Sequence, residues 1–207
     1  MLASDIIRSV SRSFGDTDKI ICIDQDYMDW ITAGELQIVK DTECLSKTTG
    51  VFANTFPITF PADFLRLRRV IYGQVPLQYV DIADLDDKQQ NLATQDVPVY
   101  YYTNLNKINL FPLQSATDTT NVFYTYVYIP VTVTTTGQVL DIANQYQETL
   151  HNFVLAKARE RNEDYRGVDY ALKRYDTYIA NDRDDTLSRD DHYPIIRDDP
   201  IDAWFDW

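Results

Sequence analysis

Apolar residues recur at every fourth position at the start of the chain. They are Leu2, Ile6, Val10 and Phe14. Side chains at this spacing lie on one face of a helix, so the pattern predicts a helix over residues 2–14. Ser4 or Asp5 suits its first turn, and Gly15 is typical of a helix end.

A second helical pattern follows a short connection and covers residues 24–42. Its apolar positions are Tyr27, Trp30, Ile31, Leu36, Ile38 and Val39. Asp24 and Asp26 suit the positive end of a helix dipole. Gly34 has two interpretations: it weakens the helix, or it marks the close approach of another helix.

The helical period is lost after residue 45, and short β-branched and aromatic segments replace it. We predict strands at 51–52, 56–60, 67–72, 77–80, 99–103, 107–111 and 122–129, with a further extended stretch at 131–135. Gly73-Gln74 and residues 104–106 are typical of hairpin turns. The polar segment 81–96 predicts a loop with one short helical turn.

Helical spacing returns near residue 141, where Asp141 or Asn144 suits the first turn. The first stripe is Ile142, Tyr146, Leu150, Phe153, Val154 and Ala158; the second is Val168, Leu172, Tyr175 and Ile179. We expect an interruption at 162–167. Periodicity ends at 185, which begins a segment with seven Asp and two Arg, called the acidic tail (residues 185–207).

These patterns together predict an α+β fold. In it, the N- and C-terminal helices form a helical bundle with an inserted antiparallel β-rich region. The expected parts are the N-terminal helices at 1–45, the β-rich insertion at 46–138, the C-terminal helices at 139–184 and the acidic tail at 185–207. We expect the tail to dock on neighbouring molecules.

The composition is that of a chain with a packed core and an acidic surface. It has 207 residues, 44% of them hydrophobic, and a net charge of −13 from 32 acidic and 19 basic residues. This balance argues against DNA binding through phosphate-neutralising Lys and Arg. Two interpretations stay open: the acids let DNA pass without adhesion, or they confer solubility. The chain has no basic, apolar leader and no apolar run of about 20 residues, so we expect an unprocessed cytoplasmic product without a membrane span.

Residues for catalysis or metal binding are scarce. Cys22 and Cys44 have neither a CxxC spacing nor a nearby His, so we expect two reduced thiols. His151 lies in a predicted helix and His192 in the acidic tail. The chain lacks phosphate-loop, hydrolase-elbow and zinc-protease signatures, and its adjacent acids do not match an EF-hand loop. We therefore expect no enzymatic activity, no cofactor and no metal site.

Aromatic residues form two kinds of group. Tyr100–Tyr102, and Tyr124 with Tyr126 and Tyr128, lie on predicted strands, where they either pack in the sheet or form an interface for carbohydrate or protein. The acidic tail ends in aromatic residues without a core to enter. We predict partner-binding residues there, although the tail could fold back on its own domain. They are Tyr193, Ile195, Ile196, Trp204, Phe205 and Trp207.

Several short phrases occur in a characteristic order. They are residues 61–65 (PADFL), Arg69-Val70 with Pro76-Leu77, 98–101 (PVYY), 108–112 (INLFP), 126–130 (YVYIP) and 146–158 (YQETLHNFVLAKA). In their order and spacing, over about residues 1–180, the chain resembles the head-to-tail adaptor, or connector, proteins of tailed bacteriophages. The acidic tail is not part of this resemblance.

The resemblance implies a structural virion protein at the head–tail junction. It implies a ring of about twelve copies beneath the portal protein, which extends the DNA channel and carries the tail nozzle or tail-tube proteins. DNA would pass without sequence-specific binding, during genome packaging and ejection. Two alternatives stay open: another tail or capsid component, or a small glycan-binding tail module supported by the Tyr-rich strands.

Overall fold

The chain divides into two units, each with its own core. The computed structural model describes the backbone of residues 1–87 and 96–190, and the side chains of residues 1–85 and 96–181. The helical unit contains Met1–Thr42, Val133–Val139 and the described residues from Ala143 onward. The sheet unit contains the described residues of Glu43–Thr132 together with Leu140–Ile142.

The described residues contain five α-helices and a seven-stranded sheet. The helices are α1 (Ala3–Phe14), α2 (Asp24–Thr42), α3 (Ile82–Asp87), α4 (Gln147–Arg161) and α5 (Tyr165–Asp190). The strands are β1 (Ser46–Phe52), β2 (Ile58–Thr59), β3 (Phe64–Tyr72), β4 (Val75–Tyr79), β5 (Tyr100–Asn104), β6 (Lys107–Phe111) and β7 (Asn121–Tyr128). Short 3₁₀ turns cover Ala53–Thr55 and Asn144–Tyr146.

The two N-terminal helices agree with their sequence patterns. Helix α1 ends at Gly15, whose φ of 84° is left-handed and closes the helix with backbone hydrogen bonds to Ser11 and Arg12. Helix α2 has the predicted bounds. Gly34 marks a close approach, since a Cβ built there would lie 2.6 Å from Leu150 Cδ1 and 2.9 Å from Phe153 Cδ1 of α4.

The C-terminal helices differ from their patterns at both ends. Helix α4 begins only at Gln147, after a 3₁₀ turn, and Asp141 instead accepts the backbone N–H of Val131 at 2.7 Å. Helix α5 continues to Asp190, past the predicted end at 184. Each residue added to an existing helix forms one more backbone hydrogen bond without the cost of nucleation. A polar extension can therefore stay helical without an apolar stripe. Among its described side chains, Gly167, Ala171 and Tyr175 are buried, Val168 is half-buried and Leu172 is exposed.

The sheet has the strand order β1-β7-β3-β4-β5-β6-β2. Both predicted hairpins are confirmed. Tyr72 pairs with Val75 around Gly73-Gln74, and Asn104 pairs with Lys107 around Leu105 and Asn106, which both have positive φ. Strands β4 and β5 pair in parallel, with α3 on the chain between them. A parallel pair needs such a crossover, whereas a two-residue turn joins only antiparallel neighbours.

The expected fold class is wrong. The chain is mixed α+β, but its dominant element is the sheet of seven described strands, which contains a parallel pair and carries its own helix α3. The terminal helices do not form a self-contained bundle. Residues 133–139 belong to the helical unit: Leu2 bridges Val139, and the Val133 N–H donates to Thr32 Oγ1 at 2.9 Å.

The tyrosines of the sheet are packing residues. Tyr124 and Tyr126 are buried on one face of β7, with ring centroids 5.9 Å apart, and Tyr101 is buried in the same cluster. Tyr100 and Tyr102 pack, partly buried, against Val80, Leu85 and Phe111. Alternation along a strand places such residues on one face, where their large rings build the core of the sheet unit.

Candidate interaction surface

The six residues predicted to bind partners, Tyr193, Ile195, Ile196, Trp204, Phe205 and Trp207, lie outside the described residues. His192 lies there as well. The candidate surface described below therefore comes from other residues, and all of it belongs to the helical unit. It has two adjoining parts, an apolar loop and a cationic cleft.

The apolar part is the connection between α1 and α2, here named the isoleucine loop (residues 15–23). Ile20 is 82% exposed, Ile21 is 43% exposed and Ile23 is 58% exposed. Single exposed apolar residues are ordinary on protein surfaces, but a contiguous group marks a site of interaction. Between them, Cys22 points inward and is fully buried.

Asp16 holds the isoleucine loop in shape. Its carboxylate accepts the backbone N–H groups of Ile20 at 2.8 Å, and of Ile21 and Cys22 at 2.9 Å. Burial alone would raise the pKa of Asp16, but these three hydrogen bonds to the charged form outweigh it and the pKa lies below its usual value. The carboxylate is thus ionised at neutral pH, and the loop presents its isoleucines from a fixed backbone.

The cationic cleft adjoins this loop. It has a volume of about 450 Å³ and is lined mainly by α1 and the residues between α1 and α2. Its cations are Arg8, Arg12 and Lys19. Lys19 contacts Asp24, and Arg8 lies 3.9 Å from Asp5, whereas Arg12 forms no ion pair within the described part of the chain. In a chain of net charge −13, the cleft is a local concentration of cations.

The sequence pattern missed this surface. The apolar residues of 15–24 follow neither a helical nor a strand period, so the pattern predicts only a connection there. A signal was nevertheless present: Ile20-Ile21-Cys22-Ile23 is an apolar run between charged residues, in a segment that no regular element buries. Similarly, Arg8 and Arg12 lie four residues apart and therefore on one face of α1.

The histidine and the cysteines of the described region have structural environments. His151 is half-buried, and its Nδ1 lies 2.9 Å from Ser9 Oγ; burial lowers its pKa, so the ring is neutral at pH 7. Cys22 and Cys44 are both in the thiol form. Burial raises the pKa of Cys22, with Asp16 adding to the effect, which suppresses the reactive thiolate. Within the described residues, no group of three or more His, Cys, Asp or Glu side chains could hold a metal ion.

The sheet unit presents exposed apolar residues of a different kind. Leu105, at the tip of the β5–β6 hairpin, is 88% exposed, and Val75 begins β4 after the other hairpin turn. Tyr79 on β4 is also exposed.

No described helix is both long and apolar enough to span a bilayer.

Comparison with known proteins places the chain in a family. A family model described as SU10 adaptor protein matches residues 1–197. The match covers both the isoleucine loop and the cationic cleft, and it ends before Trp204, Phe205 and Trp207. No curated protein matches the chain.

Proposed function

This chain belongs to the SU10 adaptor protein family, and we propose that it docks as a ring beneath the portal of a tailed bacteriophage. Family membership identifies a phage structural adaptor protein and a component of the virion, which confirms the resemblance to head-to-tail adaptors. The finer proposal is a ring of about twelve copies at the head–tail junction. The match over residues 1–197 is the observation that carries it.

Ring formation needs two different, complementary surfaces on each copy. A head-to-tail contact repeated around an axis closes into a ring when its rotation divides a full turn. In the proposed ring, the helical unit contacts the portal and the neighbouring copies, and the sheet unit faces the tail nozzle or tail tube. The isoleucine loop supports this assignment, because it is an exposed apolar group on the helical unit.

The net charge supports passage of DNA through the ring. Each copy contributes a net charge of −13, so a ring repels the phosphate backbone wherever its acids face the channel. Such a channel lets DNA pass in packaging and ejection without sequence-specific binding.

The acidic tail is the proposed docking element. Trp204, Phe205 and Trp207 are large aromatic residues of the type that dominates interface energetics. Together with Tyr193, Ile195 and Ile196, they would bury apolar area in a groove of the portal or of a neighbouring copy. That burial would offset the entropic cost of association.

The glycan-binding alternative has lost part of its supporting observation, although Tyr100, Tyr102 and Tyr128 of the same groups are only partly buried. It rested on Tyr-rich strands as an aromatic contact surface, and Tyr101, Tyr124 and Tyr126 are buried in the sheet core. Aromatic rings in a core cannot stack on a sugar. The family match favours an adaptor over a different virion part.

The mass of the purified protein, measured by sedimentation alone and with the intact portal ring, tests the proposal. We expect the protein to bind portal in about twelve copies. The test includes a chain lacking residues 203–207, which should keep its circular dichroism spectrum and lose portal binding. An intact portal that binds no adaptor would contradict the adaptor role. Full binding by the truncated chain would contradict the role of the tail.

A further inference from the structure

The isoleucine loop and the cationic cleft adjoin each other on the helical unit. Arg8, Arg12 and Lys19 line the cleft, and Ile20, Ile21 and Ile23 follow Lys19 directly along the chain. Ile23 also precedes Asp24, another residue that lines the cleft. The exposed isoleucines therefore follow directly along the chain from the lining of the cleft, although they do not line it themselves.

We propose that this surface of one copy binds the acidic tail of a neighbouring copy in the ring. The proposal rests on the tail-docking function above and specifies its receptor. Residues 191–207 carry five Asp, one Arg and three aromatic residues near the end. Their carboxylates match the cations of the cleft, and their aromatic side chains match the isoleucines.

The path of α5 shows why the receptor is on another copy. Arg161, just before α5, donates to Asp26 near the start of α2 at 3.0 Å. Ten residues into α5, the Tyr175 hydroxyl donates to Asp41 near the end of α2 at 2.7 Å. Helix α5 therefore runs along α2 from its start to its end, and its last residues lie beyond the position of Asp41.

The cleft lies at the opposite end of α2, beside Asp24. With a rise of about 1.5 Å per residue, α2 from Asp24 to Asp41 spans roughly 26 Å, and α5 from Tyr175 to Asp190 spans roughly 22 Å more. Trp204 follows Asp190 by fourteen residues, which reach about 48 Å only when fully extended. A tail that returned to its own cleft would use almost all of that length, whereas a neighbouring copy brings a cleft to the tail.

The receptor is already in a binding conformation. Asp16 fixes the loop backbone through the N–H groups of Ile20, Ile21 and Cys22. Ile23 donates its own N–H to Asp26 Oδ2 at 3.0 Å. A preorganised receptor lowers the entropic cost of association.

Cross-linking in the assembled ring identifies the receptor directly. Phe205 is replaced by the photoreactive p-benzoylphenylalanine, and this chain is mixed with an excess of isotopically heavy parent chain and with portal. After irradiation, we expect cross-linked peptides from residues 4–24 of heavy chains. Cross-links to portal, or to other residues of the adaptor, would overturn the proposal.

A charge exchange tests the same contact by binding. Arg8→Glu with Arg12→Glu should lower the amount of adaptor on portal at least about tenfold, because acids would then face acids. Asp202→Arg with Asp206→Arg in the same chain should restore it. Arg174→Glu, an exposed substitution on α5 away from the cleft, is the matched control and should bind like the parent.

The two experiments separate this proposal from the one on which it rests. Undiminished binding by Arg8→Glu/Arg12→Glu, or a loss that Asp202→Arg/Asp206→Arg does not restore, contradicts the receptor assignment. If deletion of residues 203–207 abolishes docking while Phe205 cross-links to portal, the tail docks but its receptor is elsewhere. If that deletion leaves docking intact, the tail function itself is wrong.

Discussion

Each unit of this protein has a loop organised by an aspartate, and the two loops differ in what they present. In the helical unit, Asp16 accepts three backbone N–H groups and leaves three isoleucines exposed. In the sheet unit, Asp118 accepts the Tyr72 hydroxyl at 2.6 Å and the Thr120 N–H at 2.9 Å. The first carboxylate shapes a loop for contact with other molecules, whereas the second ties a loop to strand β3.

A loop can be held rigid either to present side chains to other molecules or to attach to a strand of its own unit. For Asp118, burial alone would raise the pKa, but the hydrogen bonds from Tyr72 and Thr120 lower it below the usual value. The same balance holds for Asp16. The carboxylates are electrostatically alike, so the difference lies in what surrounds them. Exposed isoleucines follow Asp16, whereas polar residues and a strand follow Asp118.

The substitution with the largest expected effect is in the core of the sheet unit. Tyr126 is 1% exposed and lies in the main core of the sheet, where it stacks on Tyr124 and on Phe64. Tyr126→Ala should lower the free energy of unfolding by about 3–5 kcal/mol, because the cavity cannot fully collapse. Urea unfolding measures the loss, and hydrogen exchange locates it in residues 43–132. A change below about 1 kcal/mol would show that the tyrosine stack is not a core.

A substitution between two helices of the helical unit should have a smaller effect on the free energy of unfolding. Gly34→Leu forces a side chain into the space held by Leu150 and Phe153, so α2 and α4 must separate. We expect a loss of about 1–3 kcal/mol in the free energy of unfolding, measured by urea titration with a helix signal. Gly137→Ala is the matched control, since no atom lies within 4 Å of its added Cβ. Equal stabilities of the two variants would refute the close approach.

The finest test separates the two loop carboxylates. Asp16→Asn should speed hydrogen exchange of the Ile20, Ile21 and Cys22 amides, and Asp118→Asn should leave them unchanged. Lowering the pH should likewise reduce the protection of these amides against exchange, relative to their intrinsic rates. Both carboxylates have lowered pKa values when folded, so their stabilisation is present above the unfolded value of 3.8 and is lost as the pH falls through the folded pKa. If the exchange rates in the isoleucine loop are the same in Asp16→Asn as in the parent, the loop is held by other contacts.

Local periodicity determined much of the helical structure. The bounds of α1 and α2 follow from apolar spacing, since a stripe on one helix face needs a partner to cover it. The end of α5 could not be predicted in this way, because its last turns carry no apolar stripe. The isoleucine loop was missed for the converse reason: its apolar residues follow no period.

The sequence by itself determined the family, through the order of short phrases along most of the chain. It also determined most elements and both hairpin turns, because these depend on residues close together along the chain. Only the tertiary structure decided which strands are neighbours, including the parallel pairing of β4 with β5. It also decided that residues 133–139 join the helical unit, and that the hydrogen bonds of Asp16 fix the loop in which the isoleucines are exposed. Each of these depends on contacts between distant residues or on the path of the backbone, for which a hydrophobic pattern carries no signal.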